Sequence, residues 1–196
     1  MSAMLDARSV SQAIDDTRRW LERAVIGLNL CPFAKVVHVK GQIHYAVSLA
    51  LEPADVLDEL AKEIKTLVAL DAELRDTTLL ILPNVLGEFL DFNDFLVKAN
   101  ALLRKLRLDS IVQIAPFHPQ FQFGDAAQDD IANCTNRSPY PMLHLLREAS
   151  VDRAVAAFPQ AEEIFGKNIQ TLTELGAQGW AALDVGAHDI TEKKAA

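Results

Sequence analysis

The stretch that decides the fold is Thr77-Thr78-Leu79-Leu80-Ile81-Leu82-Pro83, a continuous apolar run that ends at a proline. An apolar run of this length without alternation is typical of a strand buried on both faces, as in a parallel sheet. Proline ends the run because it lacks the N–H group that a ladder of hydrogen bonds requires. We therefore predict a buried strand over 77–82 and place the other elements around it.

Other segments show the spacing of helices or of strands. Apolar residues recurring at helical spacing predict helices over 10–28, 53–70, 87–106, 139–158 and 162–177. Shorter apolar runs predict strands over 43–49 and 110–115, and a further strand over 36–39 that the link Lys40-Gly41-Gln42 joins to 43–49 as a hairpin. The expected class is α/β, with a small mainly parallel sheet of about three strands plus an antiparallel edge hairpin, flanked by about five helices.

The bulk properties limit the class of protein. The 196 residues suit one domain, which we place at 10–180 between tails at 1–9 and 181–196. The net charge of −8 argues against binding of nucleic acid, which normally contacts a basic face. The basic cluster within 104–107 falls in the last turn of a predicted helix, where positive charge complements the helix dipole.

The sequence also indicates a compartment. No apolar run reaches the roughly 18 residues that span a membrane, and residues 1–10 lack the pattern of a signal peptide. The two cysteines, Cys31 and Cys134, are too few for a disulfide framework. We therefore expect a cytoplasmic protein without a membrane or nucleic-acid partner.

Polar side chains follow the ends of the predicted strands. The three strands after residue 40 are joined by helices, so we expect them to run parallel, with their carboxyl ends at one edge. Sites in open α/β sheets lie beyond that edge. Asn84 and His118 follow two of the strand ends, and the predicted hairpin brings Cys31 and Lys35 to the same place. These side chains are predicted to converge.

The segment 116–138 is polar and irregular. Ordered loops longer than about 12–15 residues are uncommon and usually functional. Its apolar side chains indicate an ordered rather than a disordered loop; they are Phe117, Phe121, Phe123 and Ile131. The segment is predicted to form a binding or active site, or else a packed loop that only covers the end of the sheet.

Arg137 stands at the start of the helix predicted over 139–158. An arginine beside a helix N-terminus suggests a site for a phosphate or carboxylate group. Two prolines in the first turn remove backbone N–H donors, so Arg137 and Asn136 would carry most of the binding. The alternative is a capping turn in which Arg137 pairs with Asp129 or Asp130. Further binding residues expected here are Asn133, Tyr140 and Arg147.

Three other arrangements could carry chemistry. His144 and Glu148 are four residues apart on the predicted helix, where they would be neighbours that act as base and orienting group or form a plain contact. Cys31 could be a nucleophile if Lys35 or His118 lowered the pKa of its thiol, or it could be a small buried apolar residue. A metal site could use Cys31, His118, Cys134 and His144, although no close Cys-x-x-Cys or His-Glu-x-x-His pattern supports it.

Several longer phrases are recognisable. They are WLERAVIGLNLCPFA over 20–34, DFNDFL over 91–96, FHP over 117–119 and TNRSPYPMLHLLRE over 135–148. On these phrases the chain resembles the bacterial domain-of-unknown-function family 1415, from about Val10 to about Glu174. The resemblance implies no activity, cofactor or catalytic residue, so the cofactor stays unknown. The spacing of residues 91–96 by itself indicates a solvated helix face. Because the segment belongs to one of these phrases, we give it more weight as a candidate for function.

The first hypothesis is an enzyme that acts on a small anionic metabolite. Arg137 and Lys35 would hold the anion, and His118 would be the general acid or base. His144 oriented by Glu148, or Cys31, would assist. The variety of polar residue types favours a pocket over a flat contact surface.

Two other hypotheses remain. The chain could be a non-catalytic module that binds a ligand or a protein, including a second copy of itself, through the aromatic loop 117–123. It could instead be a metalloprotein that uses the cysteine and histidine set named above. The sequence does not decide whether the chain is an enzyme.

Overall fold

The structure is a computed structural model that describes residues 2–158, 160 and 163–188, with side chains described from Ser9 onward. Its helices are α1 (Ser2–Trp20), α2 (Ala34–Val39), α3 (Pro53–Ala69), α4 (Phe89–Leu106), α5 (Glu148–Ala157) and α6 (Ile164–Ala182). Its strands are β1 (Ile43–Val47), β2 (Thr77–Ile81), β3 (Val112–Phe117) and β4 (Met142–Arg147). A π-helical turn, Leu21–Ile26, extends α1, and a 3-10 helix, Ile131–Thr135, precedes β4.

The four strands form one mixed sheet in the order β1-β2-β4-β3. β1 and β2 are parallel, whereas β4 is antiparallel to both β2 and β3. The α/β class is therefore confirmed, and β2 is buried along its whole length as predicted. β3 runs in the same direction as β2 but is separated from it by β4, which the sequence did not predict as a strand.

The predicted strand 36–39 and its hairpin are wrong, because these residues form α2. The N–H of Lys40 donates to the carbonyl of Val36 (3.1 Å), which continues the helical pattern. Val36 and Val39 are largely exposed, and the neighbour of β1 in the sheet is β2. The preference of valine for strands is weak where no strand partner is available.

The helix predicted over 139–158 is wrong for its first half. Residues Met142–Arg147 form β4, and helix α5 begins only at Glu148. A short apolar run such as 142–146 fits either a strand or a buried helix. Here the run lies between β2 and β3. As a strand it can form backbone hydrogen bonds on both sides, which favours a strand over a helix.

Each face of the sheet carries a core. On one face, α3 and α4 pack against β2 and β4, with Leu60, Ile64 and Phe92 fully buried. On the other face, α1 and its π-helical turn cover Leu79, Ile81 and Met142. A third cluster joins α6 to the 3-10 helix.

Part of each expected tail lies in a described segment of the structure. Helix α1 starts at Ser2 and runs through residue 9, where we placed the end of the tail. After α6, the segment 183–188 lies against α1 and buries Val185. The rest of the predicted C-terminal tail, 189–196, lies outside the described residues.

The register places the strand ends. Val47, Ile81 and Phe117 end β1, β2 and β3 at one edge of the sheet, and Met142 begins β4 there. We call this the carboxyl edge. The common direction of the three strands expected from the sequence is thus confirmed, although β3 is not adjacent to β2. Within the described chain, no helix is both long enough and apolar enough to cross a membrane.

Candidate functional site

The segment between β3 and β4 closes the carboxyl edge as an ordered loop. Buried Asn133 holds it from inside, since its Oδ1 accepts from the N–H of Phe123 (3.0 Å) and its Nδ2 donates to the carbonyl of Ala127 (2.8 Å). Asn136 donates through Nδ2 to the carbonyl of Pro116 (3.1 Å), which ties the loop to β3. Both asparagines were predicted as binding residues, and in each the side-chain Nδ2 donates to a main-chain carbonyl of the protein.

The aromatic side chains of the loop pack internally. Phe121 contacts Phe89 of α4 (ring centroids 5.4 Å apart) and Phe123 (5.0 Å). Phe123 in turn contacts Phe165 of α6 (5.8 Å). This chain of rings joins two helices across the loop, so its aromatic side chains are engaged within the molecule rather than forming a separate apolar patch.

Arg137 is held by main-chain carbonyls. Its Nε donates to Phe121 (3.3 Å) and one terminal nitrogen donates to Gln128 (2.6 Å). The indole N–H of Trp20 donates to the Arg137 carbonyl (2.8 Å), which fixes the backbone beneath the side chain. Carbonyl partners position a guanidinium without neutralising its charge.

Neither ion pair considered for Arg137 forms. Asp130 instead caps the 3-10 helix, with its Oδ1 accepting from the N–H of Ala132 (2.9 Å). Asp129 lies nearby without an ion pair to Arg137. Among the residues that the structure describes, no carboxylate lies within ion-pair distance of this guanidinium. Its charge is therefore available to a ligand.

A cleft of about 480 Å³ opens at this guanidinium, which we call the Arg137 cleft. Its lining residues are Pro119, Gln120, Gln128, Asp129 and Arg137. The lining thus combines one cation, one carboxylate, two carboxamides and an apolar ring. Such a surface can bind an anionic group at the guanidinium and polar groups around it.

His118 lies one residue before the cleft and does not line it. The ring is fully buried between Phe89 and Phe92. Nδ1 accepts from the N–H of Gln120 (3.0 Å), so Nε2 carries the proton and donates to the carbonyl of Leu86 (3.1 Å). Burial lowers the pKa of His118, although the Leu86 carbonyl opposes the shift. A neutral ring with both nitrogens bonded to backbone is a structural element, and this arrangement gives no support to a role as acid or base.

His144 faces the core beneath α1 from the middle of β4. Thr77 donates its hydroxyl to the carbonyl of Leu145 (2.7 Å) and accepts from Nε2 of His144 (2.6 Å). Burial lowers the pKa of His144 to about 4. The expected helical pairing with Glu148 is absent, because His144 lies in a strand and Glu148 opens α5.

Arg147 lies at the opposite edge of the sheet from the cleft. Its guanidinium donates to the carbonyls of Leu70 (2.8 Å) and Arg75 (3.0 Å), at and after the end of α3. Positive charge at a helix C-terminus is stabilising. Arg147 and Glu148 therefore do not join Arg137, contrary to the sequence-based expectation.

Cys31, Lys35 and Asn84 were expected at the carboxyl edge. The expectation for the first two rested on the hairpin, which is wrong. Cys31 packs against the core under α1, and its burial raises the pKa of the thiol, so nothing here activates it. Lys35 is exposed on α2, and Asn84 is exposed just after β2. None of the three lines the Arg137 cleft.

Cys134 is the cysteine nearest to Arg137. It is buried in the cluster that joins α6 to the 3-10 helix. Burial raises the pKa of its thiol, although the adjacent guanidinium acts in the opposite direction. In the described part of the chain, no three His, Cys, Asp or Glu side chains are grouped as metal ligands. The set Cys31, His118, Cys134 and His144 is therefore not assembled into a site.

A polar cluster that sequence reasoning missed centres on Asp16, whose side chain is fully buried. Its carboxylate accepts from Arg19 (2.7 Å), Gln12 (2.8 Å), the hydroxyl of Tyr140 (2.7 Å) and the N–H of His188 (3.0 Å). Burial by itself raises the pKa of Asp16, but these hydrogen bonds outweigh it and hold the pKa low. Burial and the carboxylate raise the pKa of Tyr140. Tyr140, predicted as a binding residue, thus ties the segment before β4 to α1.

A signal for this cluster was present in the sequence. Ala13, Asp16, Thr17 and Trp20 follow the i, i+3, i+4, i+7 spacing of a buried helix face. Polar residues within such a stripe predict a buried hydrogen-bonded cluster.

The protein is of the α/β class, with a mixed sheet and a surface cleft at the carboxyl edge that contains Arg137. The chain belongs to the family described as Protein of unknown function (DUF1415), whose model matches residues 12–182. No curated protein and no solved structure shows a significant match.

Proposed function

We propose that the protein binds a small molecule bearing a carboxylate or phosphate group, and that Arg137 binds this group in the Arg137 cleft. The observation that supports the proposal is the guanidinium itself, which is positioned by two main-chain carbonyls and has no carboxylate partner among the described side chains. A partly buried cation without a counter-charge is costly unless a ligand supplies the charge.

The surroundings suit such a ligand. Gln120 and Gln128 present carboxamides that donate and accept hydrogen bonds, and Pro119 adds an apolar wall. The loop that carries these residues is fixed from beneath by Asn133 and Trp20. A preformed site loses little entropy on binding.

Catalysis in the same cleft is a second candidate, because Asp129 supplies one carboxylate to its lining. A carboxylate beside a bound anion is a potential general acid or base. The formation of a product from a bound ligand, followed by NMR and lost in Arg137→Gln, would support this enzymatic form of the proposal.

The binding proposal is tested by calorimetric titration with inorganic phosphate and a set of simple mono- and dicarboxylates. A charge-assisted hydrogen bond contributes about 1.5–3 kcal/mol, so Arg137→Gln should weaken binding by about 10- to 150-fold. Arg137→Lys keeps the charge but loses the forked geometry and should give an intermediate affinity.

The matched control is Arg104→Gln, which removes a cation from an exposed position in the last turn of α4. It should bind the same probes with unchanged affinity. Equal affinity for the best probe in wild type and in folded Arg137→Gln, or no binding of any probe to the wild type, would overturn the proposal.

A further inference from the structure

We infer that the ligand of the Arg137 cleft is a zwitterion, with a protonated amine beside its anionic group, as in an α-amino acid. This inference rests on the proposed function and specifies the class of ligand. The feature that points to it is the presence of a cation and a carboxylate, Arg137 and Asp129, in one cleft without an ion pair between them.

Hydrogen bonds fix the residues on either side of Asp129. On one side of Asp129, the carbonyl of Gln128 accepts from the Arg137 guanidinium (2.6 Å). On the other side, Asp130 is fixed by its cap on Ala132 (2.9 Å). Asp129 itself makes no hydrogen bond or ion pair to any described side chain. The carboxylate of Asp129 is thus exposed in the same cleft as the guanidinium and is not engaged in an ion pair with it.

This arrangement discriminates between ligands by charge. A dianion such as phosphate would gain from Arg137 but would be repelled by Asp129 in the same cleft. A molecule with a carboxylate and an ammonium group would satisfy both residues at once. An unpaired charge that repels the wrong ligand is a general way to obtain specificity.

The rest of the lining fits a molecule of that kind. Gln120 and Gln128 are uncharged and hydrogen-bond in both directions, which suits polar atoms beyond the two charged groups. The volume of about 480 Å³ accommodates a small molecule of amino-acid size. The lining adds no second cation that would favour a multiply charged anion.

The test compares matched pairs of probes that differ only in the amine, such as L-alanine with propionate and L-glutamate with glutarate, and includes inorganic phosphate. Calorimetric or NMR titration of the full chain should show the amino acid of the best pair binding at least about tenfold more tightly than its desamino analogue. Asp129→Asn should reduce this preference to about threefold or less, and it should strengthen the binding of phosphate. Asp125→Asn removes an exposed carboxylate of the same loop that does not line the cleft, and should leave the preference intact.

Three results would overturn the inference. Propionate, glutarate or phosphate could bind as tightly as the amino acids, in a way that Arg137→Gln weakens. The ligand would then not need an amine, so the inference would be wrong while the proposed function stands. If amino acids bind more tightly but Asp129→Asn keeps the full preference, Asp129 does not recognise the amine. If no probe binds, the inference fails together with the proposed function.

Discussion

Acidification should destabilise the protein through His144. The half-buried ring is neutral and donates to Thr77 (2.6 Å), and desolvation lowers its pKa to about 4. In the unfolded chain a histidine has a pKa of about 6.5. Between these two values the unfolded state binds a proton that the native state does not, so stability is complete above pH ~6.5 and is lost as the pH falls towards 4.

The magnitude follows from the two pKa values. The difference of about 2.5 units multiplied by 1.36 kcal/mol per unit gives a total loss of about 3 kcal/mol. At pH ~4.5 the unfolded histidine is almost fully protonated, and about 2.5 kcal/mol of that loss has already occurred.

Urea unfolding at several pH values from about 7.5 to 4.5 measures this loss. His144→Gln keeps an N–H donor for Thr77 and removes the titrating group. The free energy of unfolding of the wild type should therefore fall by about 2.5 kcal/mol more than that of the variant over this range. His118, whose pKa burial also lowers, is present in both proteins and cancels in the comparison.

The control is His44→Gln, a histidine exposed on β1. It retains His144 and should keep the loss of the wild type. If His144→Gln instead loses as much stability on acidification as the wild type does, His144 is not a buried neutral group and the reasoning is refuted.

Two further substitutions test the packing. His118→Ala should lower the free energy of unfolding by about 4 kcal/mol, because it leaves a cavity between two phenylalanines and removes the partners of Leu86 and Gln120; a loss below about 1 kcal/mol in urea unfolding would contradict this account. Gly27→Ala should cost about 2 kcal/mol or more, since a Cβ at residue 27 would collide with the carbonyl oxygen of Arg23 after the π-helical turn. An unchanged thermal midpoint in Gly27→Ala would show that the turn relaxes freely.

The parts of the fold that the sequence predicts are those with strong local patterns. Helices α3 and α4 and strand β2 have long stripes or runs whose burial agrees with their own spacing. The two wrong elements lie where local preference and tertiary partners disagree. Val36 and Val39 prefer strands but find no partner, whereas 142–147 fits a helix but lies between two strands.

Little of the candidate site could be predicted from local sequence. Arg137 was singled out as the residue before a helix, which is wrong because β4 follows it, yet the structure places Arg137 in a cleft. His118 was expected to act as an acid or base. Its actual role depends on the rings of Phe89 and Phe92 in α4, which enclose it and which its own segment does not reveal. The spacing along α1 marks Asp16 as part of a buried face, but two of its hydrogen-bond donors, Tyr140 and His188, lie more than 100 positions away and could not be predicted from local patterns.

Strand β4 lies inside the sheet but follows the other strands in the chain. During translation, β2 and β3, the two strands that flank β4, are therefore both made before β4 itself. At about 5–20 residues per second, the missing segment takes on the order of seconds to appear. During that interval β2 and β3 each present an unpaired edge to other nascent chains, an exposure that invites aggregation. The order of synthesis therefore leaves the pairing of both edges to the last strand, and β4 satisfies them together once Arg147 has been made.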